Sequence, residues 1–147
     1  MVDRSRPRIR SLELFRSIMQ AQRRAAEEWV RTRGLTFEQS LVIGYLEQRP
    51  GSKQRDIADM SKTTAANISL MLKVLESRGL VERRTEGGDE RSKRVYATSE
   101  GVALIAGLNE AMVELDESIF APLTPAEQET LEALLGKVNA ALPTYQP

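Results

Sequence analysis

Apolar side chains recur at helical spacing along most of the chain, and this periodicity predicts six helices. The first helix, at about 10–32, carries Leu12, Phe15, Ile18 and Met19 on one face. The other predicted helices cover about 37–48, a short segment after Ser52 that contains Ile57 and Ala58, then 65–78, 99–120 and 124–141. The pattern therefore predicts a mainly α fold.

Polar capping residues and a glycine mark the ends of several predicted helices. Thr36–Gln39 and Thr124–Glu127 each fit a capping box, in which the first and fourth residues satisfy each other's backbone N–H groups. Gly79 occupies a position where a helix C-terminus favours glycine. Either Thr98 or Ser99 is expected to cap the fifth helix.

Two short segments depart from the helical pattern and predict a hairpin. Leu80–Arg84 and Lys93–Thr98 look like strands, and the polar loop between them contains Gly87 and Gly88. The fold class that we expect is thus mainly α with an α+β winged-helix unit, in which six helices accompany a two-stranded β wing.

A short helix, a polar turn at 61–64 and a helix of about 14 residues form the helix-turn-helix arrangement. The second helix of such a unit fits the major groove of B-DNA. With Ile68, Leu72 and Leu75 on the buried face, the opposite face holds Ala66, Asn67, Ser69, Leu70, Lys73 and Val74. The polar candidates for hydrogen bonds to bases or phosphates are Thr64, Asn67 and Ser69. The alternative is an ordinary packed helix, whose solvent face would carry more charge.

The predicted hairpin is rich in basic residues, which are Arg83, Arg84, Arg91, Lys93 and Arg94. An arginine at the tip of such a ribbon can enter the narrow, electronegative minor groove. Asp89 could hold Arg91 in a bidentate ion pair and set its direction. We take Arg84, Asp89, Arg91 and Lys93 as DNA-binding candidates. Taken alone, the loop favours a solvated surface turn with an incidental ion pair; because it follows a helix-turn-helix, it favours a wing.

Charge is distributed unevenly, although the whole chain has a formal net charge of zero. Residues 1–35 hold 9 Lys and Arg against 4 Asp and Glu, and residues 36–98 hold 11 against 9. Residues 99–147 hold 1 against 8. Since phosphate binding depends on the local field, the basic first two thirds can still bind DNA.

The chain lacks both cysteine and histidine. This excludes disulfides, thiol-based redox sensing and a Ser–His–Asp triad. It also removes the two residue types from which zinc sites are mainly built. We expect no metal, no cofactor and no enzymatic activity. No apolar run approaches the roughly 20 residues of a membrane span, and the N-terminus lacks the apolar region of a secretory signal. A cytoplasmic location without a membrane partner is expected.

The sequence resembles the MarR family of winged-helix regulators over nearly its whole length. The resemblance is carried by Leu35-Thr36-x-x-Gln39, Ile57-Ala58, the run from Leu75 to Arg83, Asp89-x-Arg91 and Thr98-x-x-Gly101. It implies a homodimer of interlocked terminal helices, with the wing Arg91 in the minor groove. The recognition residues that it implies are Ala65, Ala66, Asn67, Ser69 and Leu70. Leu70 stands where the family often has Arg, and it could instead pack on thymine methyl groups.

The resemblance also implies a pocket for a small phenolic or lipophilic acid between the dimerisation helices and each winged lobe. Arg16 could pair with a carboxylate there, and Met19, Trp29 and Tyr45 complete the candidate lining. The alternatives are an inter-subunit ion pair for Arg16 and plain core positions for Trp29 and Tyr45.

We therefore expect an N-terminal dimerisation helix (1–35), a winged helix-turn-helix DNA-binding domain (36–98) and C-terminal dimerisation helices (99–147). The expected function is a sequence-specific transcriptional regulator, a repressor of a pseudo-palindromic double-stranded DNA operator, whose affinity a small aromatic or lipophilic effector lowers. One alternative is a winged-helix adaptor that binds protein and not DNA. The other is an enzyme, for which no catalytic constellation stands out.

Overall fold

The computed structural model describes residues 10–88 and 93–144. In chain order the elements are α1 (Arg10–Arg31), α2 (Phe37–Gln48), α3 (Gln54–Ser61), α4 (Ala65–Ser77), β1 (Val81–Thr85), β2 (Lys93–Ala97), α5 (Ser99–Ile105), α6 (Leu108–Phe120) and α7 (Pro125–Ala140). The predicted mainly helical fold with a two-stranded wing is confirmed. The element bounds agree with the periodicity to within one or two residues, apart from the division between α5 and α6.

The helix predicted over 99–120 is divided in two by an irregular step at Ala106 and Gly107. Ala106 leaves the helical conformation, with φ −57° and ψ 132°, and Gly107 has a positive φ of 86° that favours glycine. Apolar periodicity runs across the step, because Ile105 and Leu108 both pack against the core. The prediction of a single helix over 99–120 was wrong. Gly107 was the one local indication of a break, and the apolar periodicity on both sides of it masked that indication.

The predicted helix caps are present. Thr36 and Thr124 each begin a capping box, with Gln39 and Glu127 as their respective partners. Thr98, rather than Ser99, caps α5 by accepting a hydrogen bond from the backbone N–H of Gly101. These local bonds satisfy N–H groups that a helix N-terminus would otherwise leave unpaired.

One hydrophobic core joins the helix-turn-helix region, the wing and the end of α1. Its buried residues are Val30, Leu35, Val42, Ile43, Leu46, Ile57, Ala58, Ile68, Leu72, Leu75, Leu80, Val81 and Val95. Strands β1 and β2 are antiparallel, with Val81 opposite Ala97 and Thr85 opposite Lys93. Val95 also exchanges two backbone hydrogen bonds with the loop before α3, from Gly51 N–H and to Ser52 O, both 3.0 Å long. The sequence pattern did not predict this isolated antiparallel bridge between Ser52 and Val95.

Gly101 fixes the junction between α4, β1 and α5 because it leaves no room for a side chain. A Cβ atom at this position would lie 2.2 Å from the carbonyl oxygen of Leu80. Next to it, Thr98 donates its hydroxyl to Gly79 O at 2.6 Å, and its N–H bonds Leu80 O at 3.1 Å. The Thr98-x-x-Gly101 motif therefore seats α5 directly on the turn that ends α4.

The chain divides into two compact units, Met1–Glu110 and Ala111–Pro147, with the boundary inside α6. In the first unit, α1 exposes large apolar side chains, which are Leu12, Leu14, Phe15, Ile18 and Met19. In the second unit the exposed large apolar side chains are Val113, Leu134, Val138 and Leu142. Among the described residues, no helix has the length and apolar character that a membrane span requires.

We expect Gly101→Ala to destabilise the fold by about 1–3 kcal/mol or more, because the new Cβ must push against backbone atoms that cannot rotate away. Urea unfolding, followed by circular dichroism at one fixed protein concentration, measures the change. Gly44→Ala is the matched control, since a Cβ there would make an ordinary 3.7 Å contact with Ile105 Cδ1. This control should be neutral or stabilising, as glycine in a helix interior costs about 1 kcal/mol relative to alanine. Equal stability of the two variants would contradict the proposed role of Gly101.

Candidate nucleic-acid interface

Helix α4 is held by its inner face, and its outer face is left to solvent. Ile68, Leu72 and Leu75 are each fully buried in the core. On the opposite side Leu70 is 63% exposed and Val74 is 47% exposed. The outer residues Ala66, Asn67 and Lys73 are also exposed, and Ser69, at the margin of this face, is half-buried. Ala65, in the first turn and nearer to the inner face, is exposed as well. Apart from Ala65, the structure therefore places the predicted recognition residues together on one accessible side of one helix.

The turn before α4 is tightened by a residue that sequence reasoning passed over. Lys62 adopts the left-handed conformation with φ 50°, and its N–H reaches back to the carbonyls of Ala58 and Asp59. Non-glycine residues seldom adopt this conformation, and no glycine or asparagine in the sequence marks the position. Its exposed side chain adds a positive charge beside the N-terminus of α4.

The N-terminus of α4 is organised by hydrogen bonds within the protein. Thr64 caps the helix by accepting from the N–H of Asn67 at 3.2 Å, and the Asn67 amide donates to the hydroxyl of Thr63 at 3.1 Å. Gln54 of α3 donates to the carbonyl of Ala65 at 3.2 Å and so ties the two helices together. Thr64 and Asn67 therefore stabilise the helix end itself. The Gln54 bond spans eleven residues, and helical periodicity carries no signal for it.

The C-terminal end of α4 is anchored twice. Arg78 donates to the carbonyl of Gly34 at 2.7 Å, which links this end to the loop after α1. Glu76 forms an ion pair with Arg83 of β1 at 3.3 Å, and the Arg83 side chain is only 17% exposed. Arg83 thus connects the wing to the recognition helix.

The basic side chains of the wing have different environments. The Arg84 guanidinium pairs with Glu82 and lies over the Tyr96 ring, 4.4 Å from its centroid. Lys93 is exposed at the loop end of β2, opposite Thr85. The predicted pair of Asp89 and Arg91 lies outside the described residues. Of the four wing candidates, Lys93 presents its charge to solvent, and Arg84 is already engaged with an acid and a ring.

Tyr96 and Arg94 join the wing to the loop before α3. The Tyr96 hydroxyl donates to Glu86 at 2.8 Å, and this bond to a carboxylate raises the pKa of the Tyr96 phenol. Arg94 donates to the carbonyl of Gly51 at 3.3 Å and lies 3.8 Å from a Glu86 oxygen. A Cβ on Gly51 would approach the Tyr96 hydroxyl to 3.0 Å. These contacts hold the wing against the helix-turn-helix core.

The four effector candidates lie in different surroundings. Arg16 and Met19 are exposed on α1. Trp29 packs against the core, and the Arg33 guanidinium lies 3.3 Å from its ring centroid. Tyr45 also packs against the core, and it lines an open cleft of about 730 Å³ between α2, α3 and β2. Arg16, Met19 and Trp29 do not line that cleft. Among the described residues, no group of three or more acidic side chains is arranged to hold a metal ion.

Comparison with known proteins supports the interpretation of this site. A sequence profile of the MarR family matches residues 33–92, which span α2, α3, α4 and β1. The transcriptional regulator HosA of Escherichia coli O157:H7 is 31% identical over 104 residues, covering 71% of this chain and 77% of HosA.

Solved structures agree with the sequence comparison. The crystal structure of MepR, a transcription regulator of the Staphylococcus aureus multidrug efflux pump MepA, superposes with a TM-score of 0.78 at 28% identity. That match covers 88% of this chain and 96% of MepR. A crystal structure of an S. aureus MepR–DNA complex matches with a TM-score of 0.65 at 29% identity, covering 88% of this chain and 96% of that one.

These relatives are transcription regulators and not enzymes. Together with the helix-turn-helix, its exposed recognition face and the attached wing, they establish that the chain belongs to the MarR family of winged helix-turn-helix transcriptional regulators.

Proposed function

We propose that this protein is a homodimeric, sequence-specific DNA-binding repressor that inserts α4 into the major groove. The observation that carries the proposal is the accessible outer face of α4, which is poor in charge and begins with the small residue Ala66. A helix face that merely met solvent would be richer in Lys and Glu. Small side chains at the helix start let the backbone approach the base edges closely. A related protein of similar fold, S. aureus MepR, has been solved in complex with DNA, which supports DNA as the partner.

The wing supplies the second contact of the proposal. Arg91 reaches into the minor groove, and Asp89 orients it, as the family resemblance implies. Lys93 and the exposed Lys73 contact phosphates, because ammonium groups bind the backbone mainly as point charges. Arg84 supports the ribbon from within through Glu82 and Tyr96. The partner is thus a double-stranded operator, in which α4 contacts a major groove and the wing contacts the adjacent minor groove.

A second copy of the chain covers the exposed apolar face of α1. Five large apolar side chains over Leu12–Met19 are each between 37% and 56% exposed. A face of this kind on a soluble regulator is typical of a protein interface. A two-fold dimer would place its two copies of α4 on successive major grooves, about 10 base pairs apart, and therefore bind a pseudo-palindromic operator.

The function also includes release by a small effector. An aromatic or lipophilic acid would bind beside the exposed Arg16 and Met19 of α1 and favour a lobe spacing that does not fit the operator. Such a ligand weakens DNA binding only as far as it prefers that spacing.

The dimer is tested by placing charge on the α1 face. We expect the double variant Phe15→Glu/Ile18→Glu to sediment as a monomer and to lose most operator affinity, because two carboxylates cannot be buried without partners. Sedimentation velocity measures the change. Val74→Glu is the control for an added surface carboxylate, since it places one negative charge on the exposed face of α4 and should leave the dimer intact. A wild-type protein that sediments as a monomer at micromolar concentration would contradict the dimer.

DNA binding is tested by selecting duplexes from a random pool and measuring affinity by fluorescence anisotropy at several salt concentrations. Affinity should fall on the order of 10³–10⁵-fold between 50 and 200 mM salt if about 6–10 phosphates are contacted. Arg91→Ala should weaken binding roughly tenfold per half-site, or about a hundredfold for the dimer, through the loss of one charged hydrogen bond in each protomer. Arg31→Ala is the control, because Arg31 pairs with Glu28 on α1 and should have no effect. Unchanged affinity of Arg91→Ala would remove the wing from the interface.

Effector release is tested by adding benzoate, phenylacetate or 2-naphthoate to the protein–operator complex. At least one of these acids should raise the dissociation constant, by about 5–150-fold for an ordinary coupling between two sites. The same acid should act more weakly on Arg16→Gln, which keeps a polar side chain but loses the charge. If all three acids leave the affinity of the wild-type protein for the operator unchanged, the proposal of an aromatic-acid effector is rejected, whereas the proposal of DNA binding stands.

A further inference from the structure

We propose that Leu70 gives this protein a direct preference for thymine, by packing its side chain on the 5-methyl group of a thymine in each half-site. This inference rests on the proposed entry of α4 into the major groove. It goes further because it identifies the chemical feature of the operator that one residue recognises.

Leu70 occupies the centre of the outer face of α4. At 100° per residue it lies about 200° around the helix from Ile68, which is fully buried at the centre of the inner face. Its side chain is 63% exposed, more than that of Val74 one turn later. Whatever surface meets the outer face of α4 must therefore meet the Leu70 side chain.

The neighbours of Leu70 make this contact apolar. Ala66 lies one turn before it and Val74 one turn after it, so the three form a stripe without hydrogen-bonding side chains along the helix. In the major groove, the bases present hydrogen-bonding groups at almost every position of their edges. The thymine 5-methyl group is the apolar exception. A Leu–Ala–Val stripe therefore complements thymine and leaves the donors and acceptors of guanine, cytosine and adenine unmatched.

The polar residues beside the stripe are engaged within the protein. The Thr64 hydroxyl accepts from the Asn67 N–H, and the Asn67 amide donates to Thr63. Ser69 lies at the margin of the face and is half-buried. Lys73, on the same face as Leu70, is exposed and suits a phosphate. Leu70 is thus the large side chain best placed to distinguish one base from another.

The experiment replaces thymine by deoxyuridine in a duplex selected by the wild-type protein, one symmetric pair of positions at a time. Deoxyuridine keeps the base pairing and lacks only the methyl group. We expect one such pair to weaken binding about 16-fold, or about fourfold per methyl, since burying one CH₂-sized group is worth about that factor. Leu70→Ala should bind the thymine and uracil duplexes with nearly equal affinity. Leu70 is exposed, so this change should leave the fold intact.

Two further variants separate base recognition from general DNA affinity. Lys73→Ala should weaken binding to both duplexes equally and lower the salt slope by about 1 per protomer, because it removes a phosphate contact. Leu70→Arg should move the preferred base at that position from thymine to guanine when the selection is repeated, since a guanidinium pairs with guanine O6 and N7.

The outcomes distinguish this inference from the proposed function. If the wild-type protein binds its selected duplex but tolerates deoxyuridine at every thymine, the thymine preference is overturned and DNA binding stands. The same holds if Leu70→Ala keeps the full thymine-to-uracil ratio. If no duplex is enriched even at 50 mM salt, the proposed function is overturned, and the thymine preference with it.

Discussion

The burial of one face of α4 is the constraint on which the remaining structure depends. Ile68, Leu72 and Leu75 are completely enclosed by α2, α3 and the wing. Rotating α4 about its axis would bring these side chains into water at about 1.5–3 kcal/mol each. The rotation of the helix is therefore fixed, and so is the direction in which Ala66 and Leu70 point. Recognition chemistry on the outer face is determined by packing on the inner one.

The ends of α4 carry this constraint to the neighbouring elements. Thr64 and Gln54 position its beginning, and Arg78 ties its end to the loop after α1. Glu76 reaches Arg83, so the first strand of the wing follows the helix. The pair is partly exposed and adds little stability in itself. The wing is positioned mainly by Leu80, Val81 and Val95, which share the buried core with α4.

Much of the fold was predictable because its determinants are local. The bounds of α2 and the caps at Thr36 and Thr124 follow from apolar spacing and capping chemistry over a few residues. The inner face of α4 was also predictable, since Ile68, Leu72 and Leu75 stand at helical intervals. The break at Gly107 was not, because the apolar series continues across it and only the glycine marks the change of direction.

The features that sequence reasoning missed depend on contacts between distant segments. The pairing of Ser52 with Val95 and the bond from Gln54 to Ala65 join residues whose proximity follows from the tertiary fold. The left-handed Lys62 lacks the usual sequence marker. For the candidate site, the sequence indicated which residues of α4 face outward. It did not indicate that Arg84 would be engaged by Glu82 and Tyr96: Glu82 lies beside it on β1, but the Tyr96 ring reaches it only when β1 and β2 pair.

Methyl groups on the two faces of α4 report directly whether its outer face contacts DNA. With selectively labelled leucine, isoleucine and alanine methyl groups, nuclear magnetic resonance spectra are recorded while a selected operator duplex is added. We expect large chemical-shift changes for the methyl signals of Leu70 and Ala66, and small changes for those of Leu72 and Ile68, which stay enclosed in the core. Unchanged Leu70 and Ala66 signals in a saturated complex would contradict this expectation, because the DNA would then be bound elsewhere on the protein.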